Sequence, residues 1–325
     1  MNAFHNISMN SLVSDWHGKP YYSLDSYLKN KYGEKVYKIA LDAGFTCPNR
    51  DGTIASGGCV FCSAGGSGEH AVSTAGKTIH EQLEEGIKLF HNKKIGNKFI
   101  AYFQAYTNTY GPVSTLRSLY EEALQHESVV GISIATRPDC LPEEVLSLLV
   151  ELKEQYPGKF IWIELGLQTI HERTAKLIRR GYPLSVFEDV MAKLRTCDIP
   201  VIVHVILGLP GESSQDILET IQYLNDAGIW GIKLQLLHVL KDTVLAQWYE
   251  AGDFPVYTLE EYLHILTECI ALLDKDIVIH RVTGDGPKDL LIAPQFSKNK
   301  RLVLNSLHKE LKLKGITQGM NKVTI

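Results

Sequence analysis

Over most of its length the chain alternates short apolar runs with amphipathic ones, and this alternation restricts its fold more than any other feature. The runs at 36–41, 98–104, 129–135, 160–167, 201–207 and 231–238 are apolar nearly throughout, not on every second residue. Strands buried on both faces read this way, and they belong to parallel sheets covered by helices. A seventh short run lies at 277–282. Helical periodicity fills the gaps: residues 78–94, with Ile79, Leu83, Ile87 and Phe90 on one face, then 114–125, 142–156, 172–180, 184–196, 214–226 and 259–273. Right-handed βα units in this order make an α/β chain with a full or partial barrel, whose chemistry belongs at the C-terminal ends of the strands. The expected organisation is an N-terminal extension (1–34, with Tyr21, Tyr22, Tyr27 and Tyr32), a barrel (35–285) and a basic C-terminal tail packed on it (286–325).

At 325 residues, 45% hydrophobic and 22% charged, the composition is that of a water-soluble protein large enough for one barrel. No apolar run reaches the roughly 18 residues of a membrane span, and the polar residues 1–15 lack a signal-peptide core. A cytoplasmic location follows as an expectation, and there clustered cysteines mean metal binding or catalysis more often than disulfides. The formal charge is -4, yet residues 286–325 hold eight Lys/Arg against Asp289 and Glu310. An acidic body with a basic tail would meet an anionic partner at the tail.

The loop after the first strand, residues 44–62, carries Cys47, Cys59 and Cys62 among many glycines. Three thiolates can hold a metal centre and leave one position open for chemistry, as in a [4Fe–4S] cluster with one iron lacking a protein ligand. A closed zinc site, with His70 as fourth ligand, is the competing reading. Cys140, Cys197 and Cys269 are dispersed and read as small apolar residues.

With its cysteine triad directly after strand one, the chain resembles the radical S-adenosylmethionine (SAM) superfamily, whose fold is a partial (βα)6 TIM-like barrel. The usual signature has three residues between the first two cysteines, whereas here there are eleven. That spacing resembles the branch that includes the Elongator catalytic subunit and, more closely, the YtqA/YhcC-type proteins. Five further segments at predicted strand ends carry the resemblance: Gln104-Ala105-Tyr106-Thr107-Asn108-Thr109, Ala135-Thr136-Arg137-Pro138-Asp139, Glu164-Leu165-Gly166-Leu167-Gln168-Thr169, His204-Val205-Ile206-Leu207-Gly208-Leu209-Pro210-Gly211-Glu212 and His238-Val239-Leu240-Lys241-Asp242-Thr243.

The resemblance implies a [4Fe–4S] cluster on Cys47, Cys59 and Cys62, with SAM contacted by Phe61, Gln104, Tyr106, Asn108, Thr109, Thr136, Gln168, Arg180, His204, Ile206, Gly208 and Gln235. Several of these residues have plainer readings. The 104–109 turn can be a helix cap, Arg180 a solvated helix end, and His204 an ordinary core histidine. Glu164 lies four residues before Gln168, so strand alternation puts both on one side, and a carboxylate facing the barrel interior needs partners. Arg137, His238 and Arg281 are candidates for a substrate carboxylate.

The implied activity is radical SAM chemistry on the tRNA wobble uridine, turning 5-carboxymethylaminomethyluridine into 5-aminomethyluridine. A one-electron donor such as flavodoxin or ferredoxin would reduce the cluster. A small metabolite or peptide substrate is the second reading, and a zinc-stabilised RNA-binding module without catalysis the third. The basic segment 298–314 is either a solvated helix face or a contact for RNA phosphates.

Overall fold

The computed structural model describes residues 16–66, 76–90, 96–284 and 286–322. His70 and residues 91–94 of the expected first helix lie outside them. Seven strands form one parallel sheet: β1 (Tyr37–Leu41), β2 (Phe99–Phe103), β3 (Val129–Thr136), β4 (Phe160–Gln168), β5 (Val201–Leu207), β6 (Gly231–Leu236) and β8 (Val278–Arg281), in the order β1-β2-β3-β4-β5-β6-β8. The sheet curls into a half-barrel, the expected partial TIM-like α/β fold. Each strand is buried on its helix-facing side by Leu, Ile, Val and Phe, in one continuous core.

The crossover helices are α2 (Ile79–Phe90), α3 (Val113–Gln125), α4 (Glu143–Gln155), α5 (Glu172–Leu177), α6 (Leu184–Thr196), α7 (Ser214–Asp226) and α9 (Leu259–Leu272). Two start where their sequence dictates. Ser213 with Asp216, and Thr258 with Glu261, form reciprocal caps that satisfy first-turn N–H groups of α7 and α9. Among the described residues no helix is long and apolar enough to cross a membrane.

The structure adds elements that hydrophobic runs alone do not announce. Within the N-terminal extension, Ser23 caps a helix α1 (Leu24–Tyr32) that ends at Gly33 in the left-handed region. Its Tyr27 packs edge-on to Trp230 and tilted against Trp162, closing the strands' N-terminal end with aromatic side chains. The expected sixth strand stops at Leu236. Val239–Leu240 (β7) pairs instead with Leu291–Ala293 (β9) in a separate antiparallel ribbon, so His238 lies between two sheets and not on a barrel strand. Thr243 caps α8 (Val244–Ala251). The tail contains α10 (Lys300–Lys314), which buries Val303, Leu307 and Leu311 and leaves its lysine face in solvent.

Candidate active site

At the C-terminal end of β1 the chain enters the cysteine loop, and its eleven-residue gap is looped out. The backbone N–H groups of Arg50 and Asp51 donate to the Cys47 carbonyl (2.8 and 3.1 Å), and that of Gly58 donates to the Asn49 carbonyl (2.8 Å). These bonds close the base of the loop, and residues 51–57 stand mostly in solvent. Gly58 has φ +85, and a Cβ there would lie 3.0 Å from the Arg50 side chain, so glycine is needed both for conformation and for space. The Arg50 guanidinium donates to the carbonyls of Cys62, Ser63 and Ala64, drawing the end of the loop inward. Val60 N donates to Ile178 O (3.2 Å) and Leu245 N to Val60 O (2.9 Å), which fastens the loop to α5 and α8.

Cys47, Cys59 and Cys62 line one wall of a cavity of about 270 Å³. Asn49 Nδ2 donates to Cys59 Sγ (3.4 Å) and to Arg179 O (2.6 Å). A hydrogen bond from Cys62, with Arg137 nearby, brings the Cys59 thiol down to about 7, while Cys62 is pushed well above its ordinary value by that same bond and by burial. The three sulfurs do not all come within 4.8 Å of one another; among the described residues only His171, Asp216 and Glu219 gather that closely. Ligands of one tetrahedral zinc, each about 2.3 Å from the metal, would be closer than this. Cys59 and Cys62 are in hydrogen-bond contact and Cys47 stands off from at least one of them; three thiols on one cavity are the ligand set of a cluster that leaves one iron open.

The opposite side of the cavity is built from strand ends. Gln104 and Tyr106 line it after β2, and the Tyr106 hydroxyl donates to Ala64 O (2.6 Å). Gln168 ends β4 with φ +65; with its amide nitrogen turned inward it donates to the carbonyls of Gly166 and Leu167 (2.9 Å each). Phe61, Thr136, Ile206 and Gln235 also face this space.

Three expected cofactor contacts do not reach it. Asn108 is fully buried, and its Nδ2 stitches β2 to β3 by donating to Phe103 O (3.1 Å) and Ala135 O (2.9 Å). The Thr109 hydroxyl lies 2.6 Å from that of Thr136 and donates to Cys140 O. Gly208 does not line the cavity either, because the Tyr257 ring occupies the space beside it, 3.0 Å from where a Cβ would sit. Asn108 and Thr109 are engaged by backbone carbonyls that the sequence cannot reveal.

Arginines at the rim are similarly engaged. Arg180 is no solvated helix end: it is 1% exposed and donates to the carbonyls of Tyr182 (3.0 Å), Leu167 (3.1 Å) and Thr169 (2.6 Å), with Glu172 at 3.3 Å. It therefore braces the end of β4. Arg137 presents its fork to Asp139 (2.9 and 2.7 Å) and donates to Arg180 O (2.9 Å), so its bidentate face is already taken. His238 packs against Gly284 and Gly286, and both it and Arg281 line the cavity.

Beneath the rim lies a polar layer with one residue from each of β1 to β6, centred on the fully buried Glu164 of β4. Its Oε1 receives Lys38 Nζ of β1 (2.5 Å) and Ser133 Oγ of β3 (2.6 Å); its Oε2 receives His204 Nε2 of β5 (2.7 Å) and Lys233 Nζ of β6. Lys233 also donates to the Tyr102 hydroxyl of β2 (2.9 Å), and both ammonium groups lie over the Tyr102 ring. Burial alone would raise Glu164, but Lys233, Lys38 and His204 outweigh it and hold the carboxyl well below its usual range. Burial, only partly offset by Glu164, brings Lys233 down to about 7. Burial together with neighbouring Lys233 brings His204 to about 4, so its imidazole is neutral and donates to Glu164.

Lys38, Tyr102 and Lys233 were not among the residues expected here. The available signal was a lysine inside an otherwise buried strand, which needs a charged partner.

The model of the radical SAM superfamily matches residues 49–224, and that of its C-terminal domain matches 229–313. The chain is 44% identical over 301 residues to the protein YtqA of Bacillus subtilis, covering 93% of this chain and 92% of that one. It is 27% identical over 199 residues to a tRNA uridine(34) acetyltransferase of Dehalococcoides mccartyi, covering 58% of this chain and 41% of that one. Among solved structures, the archaeal Elp3 of Methanocaldococcus infernus shares the fold with a TM-score of 0.64 at 17% identity, over 87% of this chain and 64% of that one. The family uses a [4Fe–4S] cluster and SAM, which the three thiols and the adjoining cavity suit. By sequence match, barrel and cysteine loop together, the chain belongs to the radical SAM superfamily.

Proposed function

We propose that this radical SAM enzyme modifies tRNA, converting the wobble 5-carboxymethylaminomethyluridine into 5-aminomethyluridine in the cytoplasm. The observation that carries the reading is a junction at Gly286, which lines both the main cavity and a neighbouring groove formed with Lys288, Lys298 and Lys300. A nucleotide inserted past the thiols would leave its flanking phosphates beside these lysines, where backbone charge is neutralised. The name of the Dehalococcoides relative, which specifies uridine 34 of tRNA, supports the same substrate class.

When bound, the cluster and SAM supply a 5′-deoxyadenosyl radical that abstracts hydrogen. Cys47, Cys59 and Cys62 would hold the cluster, Asn49 would donate to its Cys59 sulfur, and Gln104, Tyr106, Gln168 and Gln235 would line the SAM side. The curled sheet and the thiol wall bound the cavity, limiting water at the reacting carbon. The carboxymethyl CH2, flanked by nitrogen and carboxylate, would give a stabilised radical on losing a hydrogen; loss of one electron to an external acceptor would give an imine, whose hydrolysis would release glyoxylate and leave the aminomethyl group. Mass spectrometry of tRNA nucleosides from a deletion strain tests the reading. Accumulation of 5-carboxymethylaminomethyluridine supports it, and an unchanged profile overturns it.

A further inference from the structure

In the polar layer under the cavity two lysines converge on a single carboxylate. Glu164 is the acidic group bonded to both Lys38 and Lys233, and Arg281 of β8 adds its field to the same lysines. Neither of the hydrogen-bonded neighbours Tyr102 and His204 supplies a second negative charge. Tyr102 is held well above its ordinary value by burial and by Glu164, so it stays neutral, and His204 is a neutral donor. Two ammonium groups sharing one buried carboxylate are costly to keep charged, and a second carboxylate reaching Lys233 from the cavity would relieve that cost. Lys233 lines the cavity, while Lys38 approaches Glu164 from the β1 side and does not line it.

From this geometry, and resting on the tRNA reading above, we propose that the floor of the cavity is a carboxylate site in which Lys233 receives the substrate's carboxylate while Glu164, held by Lys38, Ser133 and His204, positions the lysine. A single lysine at the cavity floor suits a single carboxylate. The carboxymethyl end of the uridine substituent presents one, and binding it there would point the adjacent CH2 up toward the thiol wall. Arg137, with its fork closed on Asp139, is less suited to this task.

The test measures binding by the reconstituted holoenzyme, without reductant so that no turnover occurs. Anticodon stem-loops would carry either 5-carboxymethylaminomethyluridine or 5-aminomethyluridine at the wobble position. Wild type should prefer the carboxylate form by roughly tenfold or more, as expected for one charge-assisted hydrogen bond. Lys233→Met should lose that preference and leave affinity for the aminomethyl form unchanged. A preference that survives in Lys233→Met, or is missing in wild type, overturns the proposal. So does a variant that keeps the preference but binds SAM more weakly, since the carboxylate held would then be the cofactor's.

A second measurement does not depend on tRNA. Sodium glycolate should raise the melting temperature of wild type and not of Lys233→Met, with sodium chloride at equal ionic strength as control. No rise in wild type overturns the anion site even if the nucleoside profile changes as expected. A rise with an unchanged profile keeps the anion site and removes only the tRNA assignment. If Lys233→Met does not fold, Lys233→Gln, which keeps a donor toward Glu164, carries both measurements.

Discussion

His204 Nε2 stands 2.7 Å from Glu164 Oε2, across the join between β5 and β4, and donates to it as a neutral imidazole. Its pKa is about 4 in the folded chain, against about 6.5 when unfolded. Between these values the unfolded state binds a proton that the folded state does not, so stability falls as pH drops from about 6.5 to about 4. His204 contributes at most about 3 kcal/mol of that loss. His280, buried and likewise held well below its usual value, adds in the same direction. Chemical denaturation at pH 7 and pH 5 should show the drop, and His204→Gln should make it clearly shallower.

Glu164→Gln would leave Lys38 and Lys233 facing a neutral amide in a buried layer. Removing one partner of a buried ion pair costs about 3–5 kcal/mol. Urea unfolding should show a loss of that order, and adding Lys233→Met to Glu164→Gln should cost less than the two single changes summed. Strict additivity would mean that the pair is not coupled.

Cys47→Ala, Cys59→Ala and Cys62→Ala should each abolish the visible iron–sulfur absorbance after anaerobic reconstitution. Cys140→Ala, Cys197→Ala and Cys269→Ala should retain it, since Cys140 and Cys269 are buried, with thiols pushed up by burial, and none of the three lines the cavity. Iron content per chain gives the same comparison without a spectrum.

Asn49→Ala removes the donor 3.4 Å from Cys59 Sγ. Hydrogen bonds to cluster sulfurs stabilise the more negative, reduced state. The reconstituted variant should therefore have a lower reduction potential by redox titration, and an unchanged potential would show that this bond is not made in the loaded protein.

The tertiary structure revises the sequence-based site in a consistent way. Glu164 was legible as an inward-facing carboxylate in need of partners because strand alternation aims it into the barrel, but its lysine partners on other strands were not. Asn108 and Thr109 were expected at the cofactor, but their polar atoms serve carbonyls brought near by the curl of the sheet, whereas Arg180 lines the cavity and spends its guanidinium on carbonyls at the rim. Polarity at a strand end looks the same in a sequence whether it serves a ligand or a backbone. His238 was aligned with a sixth strand that ends two residues earlier, because β7 pairs with β9 some fifty residues onward, and no local pattern encodes that pairing.

The sequence by itself determined the parallel α/β order, since fully apolar strands and amphipathic helices impose local periods, and it determined the three-thiol centre through ligand type and position. Only the tertiary structure decided how an eleven-residue gap still brings Cys47 to the wall shared by Cys59 and Cys62, through backbone bonds that close the base of the loop. It alone also brought Lys38 and Lys233, 195 positions apart, onto one carboxylate. The charge balance of that layer depends on strand order and on the curl of the sheet, which are long-range properties absent from any single stretch of chain.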